Sequence, residues 1–217
     1  MQLGATDCEY LGSGWLRQPV NAWTSLAYAG IGLALIASAR ASRGRERPVR
    51  VGFGLLLVVT GVGSFLFHGP ETPIAHFAHD VSFLLALWGL AALNLAATGR
   101  IPARRLVAGS LVVALILTGT LLITPGATNW LTGASVLALA VSDVWRRQTI
   151  AFRRTWYVAA VALLLGSLLA NALGRSGMST CDPSSLIQYH GLWHILTAAS
   201  LGAYFIAALP GIDREAA

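Results

Sequence analysis

Three histidines, a serine and an aspartate carry the chemistry on offer in this chain. Ser64 and His68 are four residues apart, as are His190 and His194, so each pair falls on one face of a helix. Asp80 follows His68 after a turn containing Gly69, Pro70 and Pro73. Three imidazoles are one of the sets by which proteins hold a catalytic zinc, leaving a fourth position for a water whose pKa falls to about 7. In such a site Asp80 would take the water proton and pass it to a leaving group. Ser64 would donate a hydrogen bond to a carbonyl as negative charge develops on it. His76 and His79 compete for the ligand role, but they fall at or near a loop–helix junction, where an interfacial histidine is ordinary.

The elements that must position these groups are membrane helices. The 217 residues are 55% hydrophobic and 11% charged, with a mean hydropathy of +0.65, whereas a soluble chain carries about 25% charged residues. All 15 basic residues are arginine. The absence of lysine excludes Schiff-base chemistry, including that of a retinal-type seven-helix pigment. A net charge of +6 would suit nucleic acid, but the arginines sit in short loops beside apolar spans, where they set membrane topology.

Seven apolar stretches are each long enough for a bilayer core: Val20–Ala39, Val51–His68, Ile74–Ala97, Ala103–Ile123, Ala127–Trp145, Thr155–Leu173 and Leu186–Leu209. The expected fold is all-α, a single seven-transmembrane bundle over residues 1–217. Residues 1–19 form an extracytoplasmic segment without the marks of a cleaved signal peptide, and 210–217 a cytoplasmic tail. Thirteen arginines fall on the side of the first, third and fifth loops and of Arg214, against only Arg17 and Arg175 on the other. That bias puts the N-terminus outside and the C-terminus in the cytoplasm. It also places Ser64, His68, Asp80, His190, His194 and the helix 1 residues Asn21, Thr24 and Ser25 at one depth, below the outer surface.

Cys8 and Cys181 both fall on the outer side, where they either pair or remain two free thiols. Asp143, beside Arg146 and Arg147, is expected to form an ion pair at the cytoplasmic end. Trp15, Trp23, Trp130, Trp145 and Trp156 read as interface anchors, and Trp193 either as another or as packing against a ligand. Asn171 bridges helices or lines the cavity.

Taken in order, Cys8-Glu9, Asn21, Ser64-x-x-x-His68, Asp80 and His190-x-x-x-His194 resemble the alkaline ceramidases. More broadly they resemble the membrane hydrolase superfamily that includes adiponectin-receptor-like proteins. The resemblance spans almost the whole chain, although its motifs occupy only helices 1, 2, 3 and 7. It implies zinc on His68, His190 and His194, Asp80 as base, Ser64 as oxyanion donor and a Cys8–Cys181 disulfide. It implies hydrolysis of the ceramide amide by attack of zinc-bound water. Some members also bind calcium, and the matching positions here are Asp7, Glu9, Gln18 and Asn21. Gln18 stands where a glutamate is expected, Tyr10 and Leu11 replace polar residues, and Thr24 replaces a serine. A site with fewer carboxylates binds calcium more weakly. The step from His68 to Asp80 is one residue longer than the pattern.

The expected function is therefore a zinc-dependent hydrolase of ceramide or a related N-acyl lipid. The Arg-only, Ala-rich composition points to a high-GC bacterium and hence to its inner membrane. A non-catalytic receptor or sensor with structural zinc is the alternative. Haem or metal transport fits less well, because the inner halves of the helices hold no histidine and are mainly Leu, Ala, Val and Ile.

Overall fold

The computed structural model describes residues 7–210 and 212; Arg214 lies outside them. Seven α-helices follow one another: α1 (Pro19–Ser38), α2 (Glu46–His68), α3 (Pro73–Ala97), α4 (Ala103–Ile123), α5 (Thr128–Arg147), α6 (Arg154–Leu173) and α7 (Tyr189–Ala208). Among the described residues there is no strand beyond an isolated bridge between Asp7 and Arg175. Two boundaries depart from the apolar pattern. Helix α2 starts at Glu46 rather than Val51, because Arg50 Nε donates to Glu46 Oε1 one turn away at 2.7 Å and holds a polar first turn. Helix α7 starts at Tyr189 rather than Leu186, because Gln188, itself extended, donates through Nε2 to the Asp182 and Ser185 carbonyls and holds the preceding residues in turns.

Six helices are long and apolar enough to cross a membrane, and α5 is the exception. It has 20 residues, but Asn129, Ser142, Asp143, Arg146 and Arg147 dilute its apolar character. The outward surface fits lipid: α4 buries only Leu117 and Leu121, and exposes Leu111, Leu115 and Ile116. Apolar surface on that scale would drive association in water. The chain thus has the character of a multi-pass membrane protein.

Helix α7 packs against α6 and α1, α1 against α2, α2 against α3, and α3 against α4 and α5. The α1–α2 contact is close because Gly32 and Gly54 face each other, each leaving room for the other's carbonyl where a Cβ would collide. Deeper in the bundle Phe53 and Phe205 stack with ring centres 4.6 Å apart. The end of α2 and the starts of α1, α3 and α7 share one end of the bundle, here the histidine end.

At the far end, Asn94 on α3 donates to Ser142 on α5 (3.1 Å) and Tyr204 on α7 (2.7 Å). Tyr204 donates to Asp143 Oδ1 at 2.9 Å, and Arg147 Nε donates to Asp143 Oδ2 at 2.8 Å. The expected ion pair is therefore Asp143 with Arg147. Arg146 is instead wholly buried, donating to the Pro210 carbonyl at 2.6 Å and lying 4.5 Å over the Phe152 ring.

Candidate metal centre

His68 ends α2, and His190 and His194 occupy the first two turns of α7. Their ring centres are 5.2, 5.0 and 4.7 Å apart for His68–His190, His68–His194 and His190–His194. Each offers one nitrogen within 4.8 Å of the other two. Three imidazoles on one tetrahedral zinc, with Zn–N of about 2.0–2.1 Å, have ring centres about 5 Å apart. The observed triangle has that size.

The surrounding hydrogen bonds decide which nitrogens are available. Gln18 Oε1 lies 2.6 Å from His68 Nδ1. A carbonyl oxygen only accepts, so Nδ1 carries the proton and Nε2 keeps its lone pair. Ser25 and Thr24 give their hydroxyl protons to the Asn21 and Val20 carbonyls, both at 2.7 Å. Their oxygens are then acceptors for His194 Nδ1, 3.3 Å from each. The remaining nitrogen, His194 Nε2, is buried with no hydrogen bond, as is His190 Nδ1. A buried imidazole nitrogen left without a hydrogen bond is costly in a protein interior, and a cation bound to both of these and to His68 would relieve that cost. The residues present fit zinc. Holding the ring's other nitrogen in this way is how proteins orient metal-bound histidines.

The segment before α1 closes over this end. Cys8 and Cys181 are joined by a disulfide, so the thiols are paired. Cys8 N donates to the Gly174 carbonyl at 3.0 Å and Tyr10 N to that of Pro183 at 3.3 Å. Gly174 sits so close to α7 that a Cβ there would lie 2.5 Å from His190 N. The Glu9 carboxylate accepts from Val20 N (2.7 Å) and Asn21 N (2.8 Å), the otherwise unpaired amides of the α1 N-terminus. Burial pushes the Glu9 carboxyl up, and the two amides pull it back only in part. Asp7 is buried against the histidines, its Oδ1 3.1 Å from His190 Nδ1 and its Oδ2 3.9 Å from His68 Nδ1.

The other candidate residues fall around this core. Ser64 is fully buried and bonds Ser25 at 2.8 Å, so it reaches His194 through that hydroxyl. Asp80 accepts from Thr128 Oγ1 at 2.6 Å and lies 2.9 Å from His79 Nδ1. It lines a cleft of about 710 Å³ between the start of α3 and the end of α4, with His76, Phe77, Leu121 and Leu122. His79 touches the Phe67 ring, which also touches His68, and is within electrostatic reach of all three clustered histidines. Trp193 packs on His190 and His194 at 5.0 and 5.1 Å. Trp15, Trp23, Trp130 and Trp156 are exposed, in keeping with interface anchors, and Asn171 is half-buried in the last turn of α6.

Of the residues the resemblance matches to calcium, Glu9 has both oxygens on backbone amides and Gln18 has its oxygen on His68. The buried side chain of Asn21 makes no hydrogen bond. Sequence reasoning did not find Asp7 against His190, Gln18 behind His68, or Thr128 on Asp80. The only signal for the first was its position beside Cys8. Comparison of the chain with protein-family models and with curated proteins returns no match.

Proposed function

We propose that this chain is a seven-span, zinc-dependent membrane hydrolase that cleaves the amide of an N-acyl lipid, in the manner of the alkaline ceramidases it resembles. The observation that carries the reading is the convergence of three imidazoles, those of His68 and His194 buried and that of His190 nearly so, with His190 Nδ1 and His194 Nε2 making no hydrogen bond. The arginine bias supports the topology, with the N-terminus and the histidine end outside and the C-terminus in the cytoplasm. Composition supports a bacterial inner membrane. Helix α5 would be the seventh span, its polar residues satisfied by α3 and α7 rather than facing lipid.

Zinc held by His68, His190 and His194 would supply an activated water and polarise the amide carbonyl. Asp80 is the proposed base. It takes a proton from the attacking water and returns it to the departing amine nitrogen as the C–N bond breaks, leaving a fatty acid and an amine lipid. His79 is bonded to Asp80 and touches the Phe67 ring, which also touches His68. For Ser64 to donate to the developing oxyanion, its hydroxyl must turn from Ser25. The apolar cleft that Asp80 lines offers an acyl chain a way in from the bilayer. Calcium is left out of the proposal, because the oxygens of Glu9 and Gln18 are already engaged.

The test is fatty-acid release from a panel of N-acyl lipids, ceramides included, by the purified chain and by Asp80→Asn. We expect one zinc per chain in both and activity lower by about 100- to 10,000-fold in the variant, the usual contribution of a positioned base. Zinc bound in both with no lipid on the panel cleaved would shift the reading to a receptor with structural zinc.

A further inference from the structure

We infer that Thr128 is a positioning residue for Asp80, one whose hydroxyl holds the carboxyl group in both of its protonation states. This rests on Asp80 being the base proposed above. Asp80 lies on α3, and Thr128 is the first residue of α5, 48 positions away in the chain. Thr128 Oγ1 donates to Asp80 Oδ2 at 2.6 Å, the length of a charge-assisted bond from a hydroxyl to a carboxylate. The other oxygen, Oδ1, lies 2.9 Å from Nδ1 of His79, its neighbour on the same helix. Of these two bonds, only the one to Thr128 ties Asp80 to another helix. The Asp80 side chain is partly exposed on the wall of the cleft, so packing alone does not fix it.

A base changes what it asks of its neighbours. Before it takes a proton the carboxylate only accepts; afterwards the carboxylic acid has an O–H to donate. A fixed N–H suits the first state alone. A hydroxyl suits both, provided its own proton has a second acceptor. Thr128 has one: Oγ1 is also 3.0 Å from the Pro125 carbonyl, in the short turn that leads into α5. While Asp80 is ionised, Thr128 gives its proton to Oδ2. Once Oδ2 carries a proton, the Thr128 proton turns to the Pro125 carbonyl and Oγ1 accepts from Asp80. The exchange breaks no covalent bond and needs no change of rotamer on either side chain. When the departing amine nitrogen takes the proton from Asp80, the Thr128 hydroxyl turns back. The carboxyl group thus stays in one place while its charge comes and goes, and a catalytic group works only if it is held to that precision.

The experiment measures fatty-acid release from the panel of N-acyl lipids by the purified, zinc-loaded chain. It compares the parent, Thr128→Val, Thr128→Ala, Thr128→Ser, Asp80→Asn and the double variant of Asp80→Asn with Thr128→Val. Valine matches threonine in shape and alanine is smaller, so a packing fault in one does not decide the result. In both, kcat should fall by up to about 100-fold, with KM and zinc content near the parent's. Thr128→Ser keeps the hydroxyl and should retain most of kcat. In the double variant, Thr128→Val should lower the residual rate of Asp80→Asn no further, because a residue that acts through another has no effect once that other is gone. The inference is overturned if Thr128→Val and Thr128→Ala keep the parent's kcat, or if the two losses multiply in the double variant. It is also overturned if Thr128→Ser falls as far as Thr128→Val, because the hydroxyl is then not what matters. An active parent whose Asp80→Asn variant is unimpaired removes Asp80 as base, and a zinc-loaded parent that cleaves no lipid removes the hydrolase reading; the inference falls with either.

Discussion

At the histidine end, His190 and His194 each keep a buried ring nitrogen without a hydrogen bond, and the Asn21 side chain and Gln18 Nε2 are likewise unbonded. At the far end, Asn94, Ser142, Asp143, Arg147 and Tyr204 bond to one another, and only Asn94 Oδ1 and two nitrogens of Arg146 are left over. Arg146 has the Phe152 ring beneath it in partial compensation. Both clusters bury polar groups in an apolar bundle, and both join α7 to helices distant in sequence. They differ in what would complete them. The far cluster contains acid and base, donor and acceptor, and most of its groups satisfy one another. The histidine cluster gathers lone pairs with nothing among the rings to receive them, which is the arrangement a cation completes. A convergent set of ring lone pairs, rather than polarity, distinguishes such a site from an internal brace.

That comparison can be broken most decisively at His194. Replacing it with alanine removes a ligand and should lower metal affinity by more than the roughly 10–100-fold that supporting residues contribute, as read by metal content after dialysis. Thermal stability of the metal-free protein should change little or rise, since an unpartnered buried nitrogen is gone. At the far end, Asp143→Ala should do the reverse. It should cost about 3 kcal/mol by removing the carboxylate nearest buried Arg146, at the lower edge for uncompensated buried charge because Arg147 is half exposed. Its metal content should stay at the parental value. A finer test is Gln18→Leu, which frees His68 Nδ1 and should weaken metal binding about tenfold. Should Gln18→Leu instead match Asp143→Ala, destabilised with its metal retained, the two ends would be of one kind and the distinction would fall.

Much of this was legible in the sequence. The apolar stretches match the helices closely, and the two four-residue spacings place Ser64 with His68 and His190 with His194 because helical geometry makes them do so. The arginine bias brought residues far apart in the chain to one end. What could not be read depends on side chains meeting across irregular backbone. Asp7 lies in a segment with no periodicity, placed by a disulfide and by single amide contacts to Gly174 and Pro183. Gln18 stands where the resemblance expects a glutamate, and nothing in its neighbours along the chain tells that its oxygen turns to an imidazole. Asp80 was assigned to the histidines from its depth and from the resemblance; neither tells that its carboxylate accepts from Thr128 on α5. Helix α5 lost its apolar signature because its polar side chains are bonded inside the bundle.

The disulfide joins residues 173 positions apart, and this has a bearing on how the molecule is made. Synthesis proceeds from the N-terminus, so Asp7 and Cys8 are made well before Cys181, His190 and His194, which come only as α7 begins. A chain halted before that point carries one histidine of the three and a thiol with no mate. The three imidazoles therefore come together in a single late event, when α7 meets the segment before α1, and a chain halted earlier lacks two of the three.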